Sequence, residues 1–308
     1  MYYLLFILLF PCCSVGVRSM IVQTEHGSVS GTKFQTSQGK SVDAFLGVPY
    51  ANPPVNDLRF REPHWIDKWT GVRSAKNFSS KCIQFIYYTD KNNNNIEGEE
   101  DCLYLNIFSP SLSNNSKHEV VFYIHGGAFM FGSSDTITPY FIMDYLDVVF
   151  VTFNYRLGPF GFLSTEDSIV PGNNGMKDQV LALKWVRKNI HHFGGDKNRI
   201  TIAGHSAGGA SVHLHYLSPL SKQLFQQGIS MSGSALCPWV IAENPRAKAN
   251  LLASSVACPI KDSHSLVECL RSKSARSLLL KTEELFMPWH FNPFSTTGPK
   301  GEKGLKCH

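Results

Sequence analysis

The chain has 308 residues, of which 43% are hydrophobic and 17% charged, with a net charge of +5 at neutral pH. Such a length and composition belong to a globular protein with a substantial core and exclude a disordered or fibrous chain. The positive charge is spread along the sequence, which excludes a basic nucleic-acid-binding tail and a polybasic membrane footprint.

The chain opens on "MYYLLFILLFPCCSVG", in which Tyr2 to Phe10 is an unbroken apolar run followed by small residues. This pattern reads as a secretory signal over residues 1–16, cleaved after Gly16. The alternative, a membrane anchor, needs about 20 apolar residues, and neither this run nor any later stretch reaches that length. The mature chain is therefore expected to be secreted and soluble, without a stable membrane anchor. Six cysteines follow the signal: Cys82, Cys102, Cys237, Cys258, Cys269 and Cys307. An even set in an oxidising compartment points to disulfides but leaves their pairing open. Asn77-Phe78-Ser79 and Asn114-Asn115-Ser116 are acceptor triplets for glycosylation in the same compartment.

Short apolar runs closed by turn residues then read as strands: "MIVQT", "GSVSGTKF", "SVDAFLGVPY", "CLYLNIFSP", "VVFYIHGG", "DVVFVTFNY", "RITIAG" and "QQGISMSGS". Several are rich in Val, Ile and Phe without strict alternation, as in strands buried on both faces of a parallel sheet. "KNNNNIEGEED" reads as a polar loop. Between the later strands, "DQVLALKWVRKNIHHF" places Val180, Leu183, Val186 and Ile190 at helical spacing, and Gly194-Gly195 stops it. The alternation predicts an α/β fold with a mainly parallel sheet and flanking helices. After about residue 240 the pattern is helical only, with no strand after Ser234. Residues 300–308 read as an unstructured tail.

The chemistry sits at a strand–helix junction. "RITIAG" supplies the strand, "AGGASVHLHYL" the helix, and Gly204-His205-Ser206-Ala207-Gly208 between them matches G-x-S-x-G, the nucleophile elbow. The pentapeptide alone also fits a plain glycine-rich connection. A second motif narrows the choice. "FYIHGGAF" ends a strand in His125-Gly126-Gly127-Ala128, and backbone amides after such a strand can face a substrate oxyanion. Gly126, Gly127 and the amide of Ala207 together would form a three-donor oxyanion hole. A phosphate-binding loop fails, because the glycine required upstream of Gly39-Lys40-Ser41 is Phe34.

On these residues the chain resembles the type-B carboxylesterase/cholinesterase family of α/β-hydrolases. "FGGDKNRITIAGHSAG" and "EDCLYLNIFSP" resemble its two signatures, and "FLGVPYANPPVNDLRFREP", "NYRLGPFGFLS" and "GNNGMKDQVLALKWVRKNI" resemble family blocks in family order. The resemblance implies an α/β-hydrolase domain over residues 17–299, with Ser206 as nucleophile toward a small carboxylic ester and no cofactor or metal. It implies the pairs Cys82–Cys102 and Cys258–Cys269, with Cys237 unpaired. It places Trp239 in the acyl pocket, although a core aromatic fits that tryptophan equally well, and it makes Arg156 and Asp178 a structural ion pair. The chain departs from the cholinesterases. The segment between Cys82 and Cys102 has no tryptophan to hold a quaternary ammonium, and His205 stands where they carry glutamate.

A serine needs a base, and the base needs an acid to orient it. In α/β-hydrolases both follow the serine in the chain. His213 and His215 lie on the helix after the elbow, two residues apart, and read as packing residues. Asp262 and His264 read as a polar turn; Glu268, Glu283 and Glu284 read as solvated helix positions. His191 and His192 precede the serine, and His290 and His308 have no flanking strand. None matches a family position for the base or acid. The expectations are that the chain carries only the amino-terminal part of the fold, that these 308 residues turn esters over negligibly, and that "QQGISMSGS" lacks a neighbour on its outer side. A non-catalytic binder of hydrophobic esters is the competing reading. No nucleic-acid partner is expected, and a partner chain is not defined.

Overall fold

The structure, a computed structural model, describes residues 20–86, 95–113, 115–286 and 299–300. The expected signal at 1–16, Asn114, His290, residues 301–308 and with them Cys307 and His308 lie outside the described residues.

In chain order, β1 (Ile21–Gln23), β2 (Ser28–Ser30), β3 (Thr32–Gln35) and β4 (Ser41–Pro49) come first, then β5 (Val72–Ser74), β6 (Gln84–Phe85), β7 (Ile96–Glu97), β8 (Tyr104–Ser109) and β9 (His118–Ile124). The helical part interleaves: α1 (Ile142–Tyr145), β10 (Val149–Phe153), α2 (Gly158–Phe162), α3 (Asn174–Asn189), β11 (Gly195–His205), α4 (Ala207–Leu217) and β12 (Gln227–Met231). The helices α5 (Pro245–Ser255), α6 (Ser263–Ser272) and α7 (Ala275–Phe286) complete the series. All eight strand-like runs of the sequence become strands. The short β5, the β6–β7 ribbon at the edge of the polar loop, and the one-turn helices α1 and α2 carry no periodicity long enough to read.

The central sheet has seven strands in the order β12-β11-β9-β10-β8-β4-β3. It is mixed rather than mainly parallel: β10–β9, β9–β11 and β11–β12 pair in parallel, while β8–β10, β4–β8 and β3–β4 are antiparallel. The antiparallel part starts with a hairpin, since only a short turn separates β3 from β4 and so short a link cannot reverse the chain for parallel pairing. The parallel part carries both motifs. All five residues of β10 are buried, as its run of Val, Phe and Thr requires. At the far edge, β12 is largely exposed and, among the described residues, has no partner on its outer side.

The main core joins the sheet to α3 and α4. In α3 the burial extends past the expected stripe, taking in Leu181, Ala182 and Trp185 as well, so that only a narrow face with Lys184, Arg187 and Lys188 reaches solvent. A second cluster joins α2 to α5, α6 and α7 through Phe160, Leu252, Leu266 and Leu278. Among the described residues no strand follows β12, and no helix is long and apolar enough to cross a membrane. Both expected disulfides are present: Cys82–Cys102 beside β6 and β8, and Cys258–Cys269 between α5 and α6, while Cys237 is a half-buried thiol. Asn77 is exposed.

Candidate active site

β11 ends at His205 and α4 starts at Ala207, so Ser206 alone makes the turn, at φ 56° and ψ −120°. A non-glycine residue held there costs about 1–3 kcal/mol and persists only where its surroundings fix it. They do. The Ser206 amide donates to Met231 O at 2.8 Å, and the Ser206 carbonyl accepts from Ala210 N at 2.9 Å. The flanking glycines are required by contact. A Cβ on Gly208 would lie 2.0 Å from Ile124 O, and one on Gly204 would lie 2.4 Å from the Gly208 carbonyl carbon. Ser206 is half-buried and His205 exposed; among the described residues nothing hydrogen-bonds Ser206 Oγ.

The turn after β9 packs directly on this elbow. A Cβ on Gly126 would lie 3.2 Å from Ser206 Cβ and 2.6 Å from His205 O. Gly127 O accepts from Met130 N at 2.8 Å and Phe131 N at 3.0 Å, which curls the chain back, with Ala128 at φ 54° and Phe129 at φ 60°. The amides of Gly126, Gly127 and Ala207 donate to no described group. The same is true of Ala128, a fourth candidate donor beyond the three expected, since nothing in "HGGAF" marks its left-handed backbone. Trp239 is half-buried, with its ring 6.4 Å from that of Phe129, so it stands against this turn.

His125, read from sequence only as the end of a strand, is 4% exposed and lies behind the turn, stacked on Tyr155 with ring centroids 4.3 Å apart. Burial pushes its pKa down to about 4.

The remaining candidates lie elsewhere. His215 is buried between Ser221 Oγ at 2.7 Å and Gln179 Oε1 at 2.9 Å, and burial pushes its pKa down to about 4. His213 meets Ser234 Oγ at 3.1 Å. Asp262 is not a plain turn residue but the N-cap of α6, accepting from Ser265 N at 2.9 Å, and His264 lies in the first turn of that helix. Glu268 pairs with Arg271 at 2.5 Å. His191 and His192 form a 3-10 turn after α3, while Glu283 and Glu284 belong to α7. Arg156 and Asp178 form a fully buried pair at 2.7 Å, as expected. None of the described side chains among these hydrogen-bonds Ser206, and among the described residues no group of three or more His, Cys, Asp or Glu is arranged to hold a metal ion.

A strand–Ser–helix elbow, set against a turn whose amides donate to no described group, on the parallel part of an α/β sheet, is the arrangement of the elbow in the α/β-hydrolase fold. The Carboxylesterase family model matches residues 18–305. The chain belongs to the carboxylesterase family. Among curated relatives of this family member, Esterase FE4 of Myzus persicae is 44% identical over 302 residues, covering 97% of the chain and 53% of the relative. Venom carboxylesterase-6 of Apis mellifera is 46% identical over 280 residues, covering 90% and 50%. Bile salt-activated lipase of Homo sapiens is 43% identical over 272 residues, covering 84% and 35%. The chain spans about half the length of the first two.

Proposed function

We propose that the chain carries the nucleophilic half of a secreted carboxylic-ester hydrolase that uses no cofactor. The observation that carries this reading is the contact between the Ser206 elbow and the Gly126–Ala128 turn. Ser206 Oγ attacks the ester carbonyl carbon, and the π electron pair moves to the carbonyl oxygen. Amides of Gly126, Gly127 and Ala207, with Ala128 beside them, receive that oxyanion, while the positive end of α4 adds to the field. Collapse breaks the C–O bond to the alkoxide, which leaves as the alcohol with the proton given up by Ser206, and an acyl group stays on Ser206; water then adds to the acyl carbon, releases the acid and returns a proton to Ser206 Oγ. Trp239 borders the acyl group. Secretion is supported by the apolar leader at residues 1–16, by two disulfides and by a relative named for venom. Asn77 and Asn114 are the proposed glycosylation sites.

The proton of Ser206 needs a base, and no described histidine reaches it. A serine hydrolase without its base loses on the order of 10⁶ in kcat and keeps roughly 10³–10⁴ over water from binding and the oxyanion hole, so slow turnover is the expectation where no histidine reaches Ser206. Labelling with a fluorophosphonate, followed by intact-mass spectrometry, tests this. Slow labelling that vanishes in Ser206→Ala is expected. Labelling complete within seconds would show that a base is present, and labelling unchanged in Ser206→Ala would remove Ser206 as nucleophile.

A further inference from the structure

The turn after β9 presents amides only if its peptide planes are held, and two side chains hold them from behind. In a trans peptide the C=O and N–H point in opposite directions within one rigid plane, so fixing the carbonyl aims the amide. Tyr155 Oη donates to His125 O at 2.9 Å, which fixes the plane that carries the Gly126 amide. His125 Nδ1 lies 2.8 Å from Gly126 O, which fixes the plane that carries the Gly127 amide. The third plane, with the Ala128 amide, is fixed by the backbone through Gly127 O. Tyr155 acts twice, since the imidazole is also stacked on its ring.

We propose that His125 and Tyr155 are positioning residues that set the oxyanion-hole turn of this chain. The proposal rests on the reading of that turn as an oxyanion hole. Three further observations support it. Facing a carbonyl, Nδ1 must carry the proton, which leaves Nε2 as a bare acceptor, and that atom is buried with no partner. A phenylalanine would fill the same space without an unpaired polar atom, so packing alone does not account for a histidine here. The hydrogen bond is also walled in: a Cβ on Gly132 would lie 2.4 Å from Gly126 O and 2.6 Å from His125 Nδ1. Finally, burial keeps the imidazole neutral, so Nδ1 donates as a fixed dipole at every pH near neutrality.

The test is the rate of Ser206 phosphonylation by excess fluorophosphonate, read by intact mass over hours, in the whole chain and four variants. Removal of one oxyanion donor lowers rates by roughly 10²–10³ in enzymes where it has been measured. Misaimed amides in His125→Phe are expected to slow labelling at least about tenfold. His125→Asn places an amide N–H near the position of Nδ1–H and is expected to stay within about threefold of the parent, a rescue that a packing role would not produce. Tyr155→Phe keeps the stacked ring, loses the donor, and is expected to fall between the two. Equal rates in His125→Phe and the parent overturn the proposal, and so does an equal loss in the Phe and Asn variants. If His125→Phe fails to fold by thermal melting, Tyr155→Phe decides, and a parental rate there overturns it. A parent that labels no faster than Ser206→Ala overturns the nucleophile reading instead.

Discussion

β10 and β12 belong to the same sheet and differ in almost everything else. β10 has a partner on each side and five buried residues, with Tyr155 two positions beyond its end to hold the turn. β12 forms the sheet edge, and Ile229 is 52% exposed on it. Yet the Ser206 amide is bonded to Met231, the last residue of β12. Ser206, the proposed nucleophile, thus stands between a buried frame and a flank that is open among the described residues. The frame accounts for geometry, namely the elbow and the amides. The open flank is the side from which nothing described reaches Ser206.

The largest expected effect belongs to the frame. His125 and His215 are held neutral by burial, with pKa values near 4 against an ordinary 6.5. Between those values the unfolded chain binds protons that the folded chain does not. Stability is therefore full above about pH 6.5 and falls as pH drops toward 4, by roughly 3 kcal/mol for each histidine. Urea unfolding at pH 7 and near pH 4 measures it, and equal midpoints would mean that neither imidazole is held by the frame. Next comes Asp178→Asn, which leaves the Arg156 guanidinium buried without its carboxylate. A loss of about 3–5 kcal/mol is expected from urea unfolding, and a loss below about 1 kcal/mol would show that water reaches the pair. The smallest effect belongs to the flank. Ile229→Lys should change stability by no more than about 0.5 kcal/mol. The same change places a charge on an apolar edge and should reduce self-association in sedimentation. A large destabilisation there would mean that β12 is covered on its outer side.

The frame was largely legible. Val-, Ile- and Phe-rich runs such as "DVVFVTFNY" announce buried strands, and "GHSAG" after "RITIAG" announces a turn with no room for Cβ atoms. Less legible was anything that depends on what lies across the chain. The mixed sheet follows from where β4 and β8 pair, not from their composition. Strands of two or three residues such as β6 and β7 are too short to show a period. His125 and Tyr155 are 30 positions apart, and nothing local tells an imidazole to turn back onto its neighbour's carbonyl. Ala128 as a fourth donor was not legible for a similar reason, since its left-handed backbone is imposed by the bonds to Gly127 O rather than by its side chain.

The close approach of Gly208 to Ile124 bears on what the pentapeptide can be taken to mean. A side chain at Gly204 or Gly208 would drive strand and helix apart whether or not any ester is ever cleaved. A lineage that had lost its chemistry would still be unable to replace either glycine without losing the fold. The two glycines are thus a record of architecture, and between them it is the serine whose identity bears on activity. In such a chain the motif ages unevenly: its frame outlasts its purpose, and the identity of a single hydroxyl-bearing residue holds the information about function.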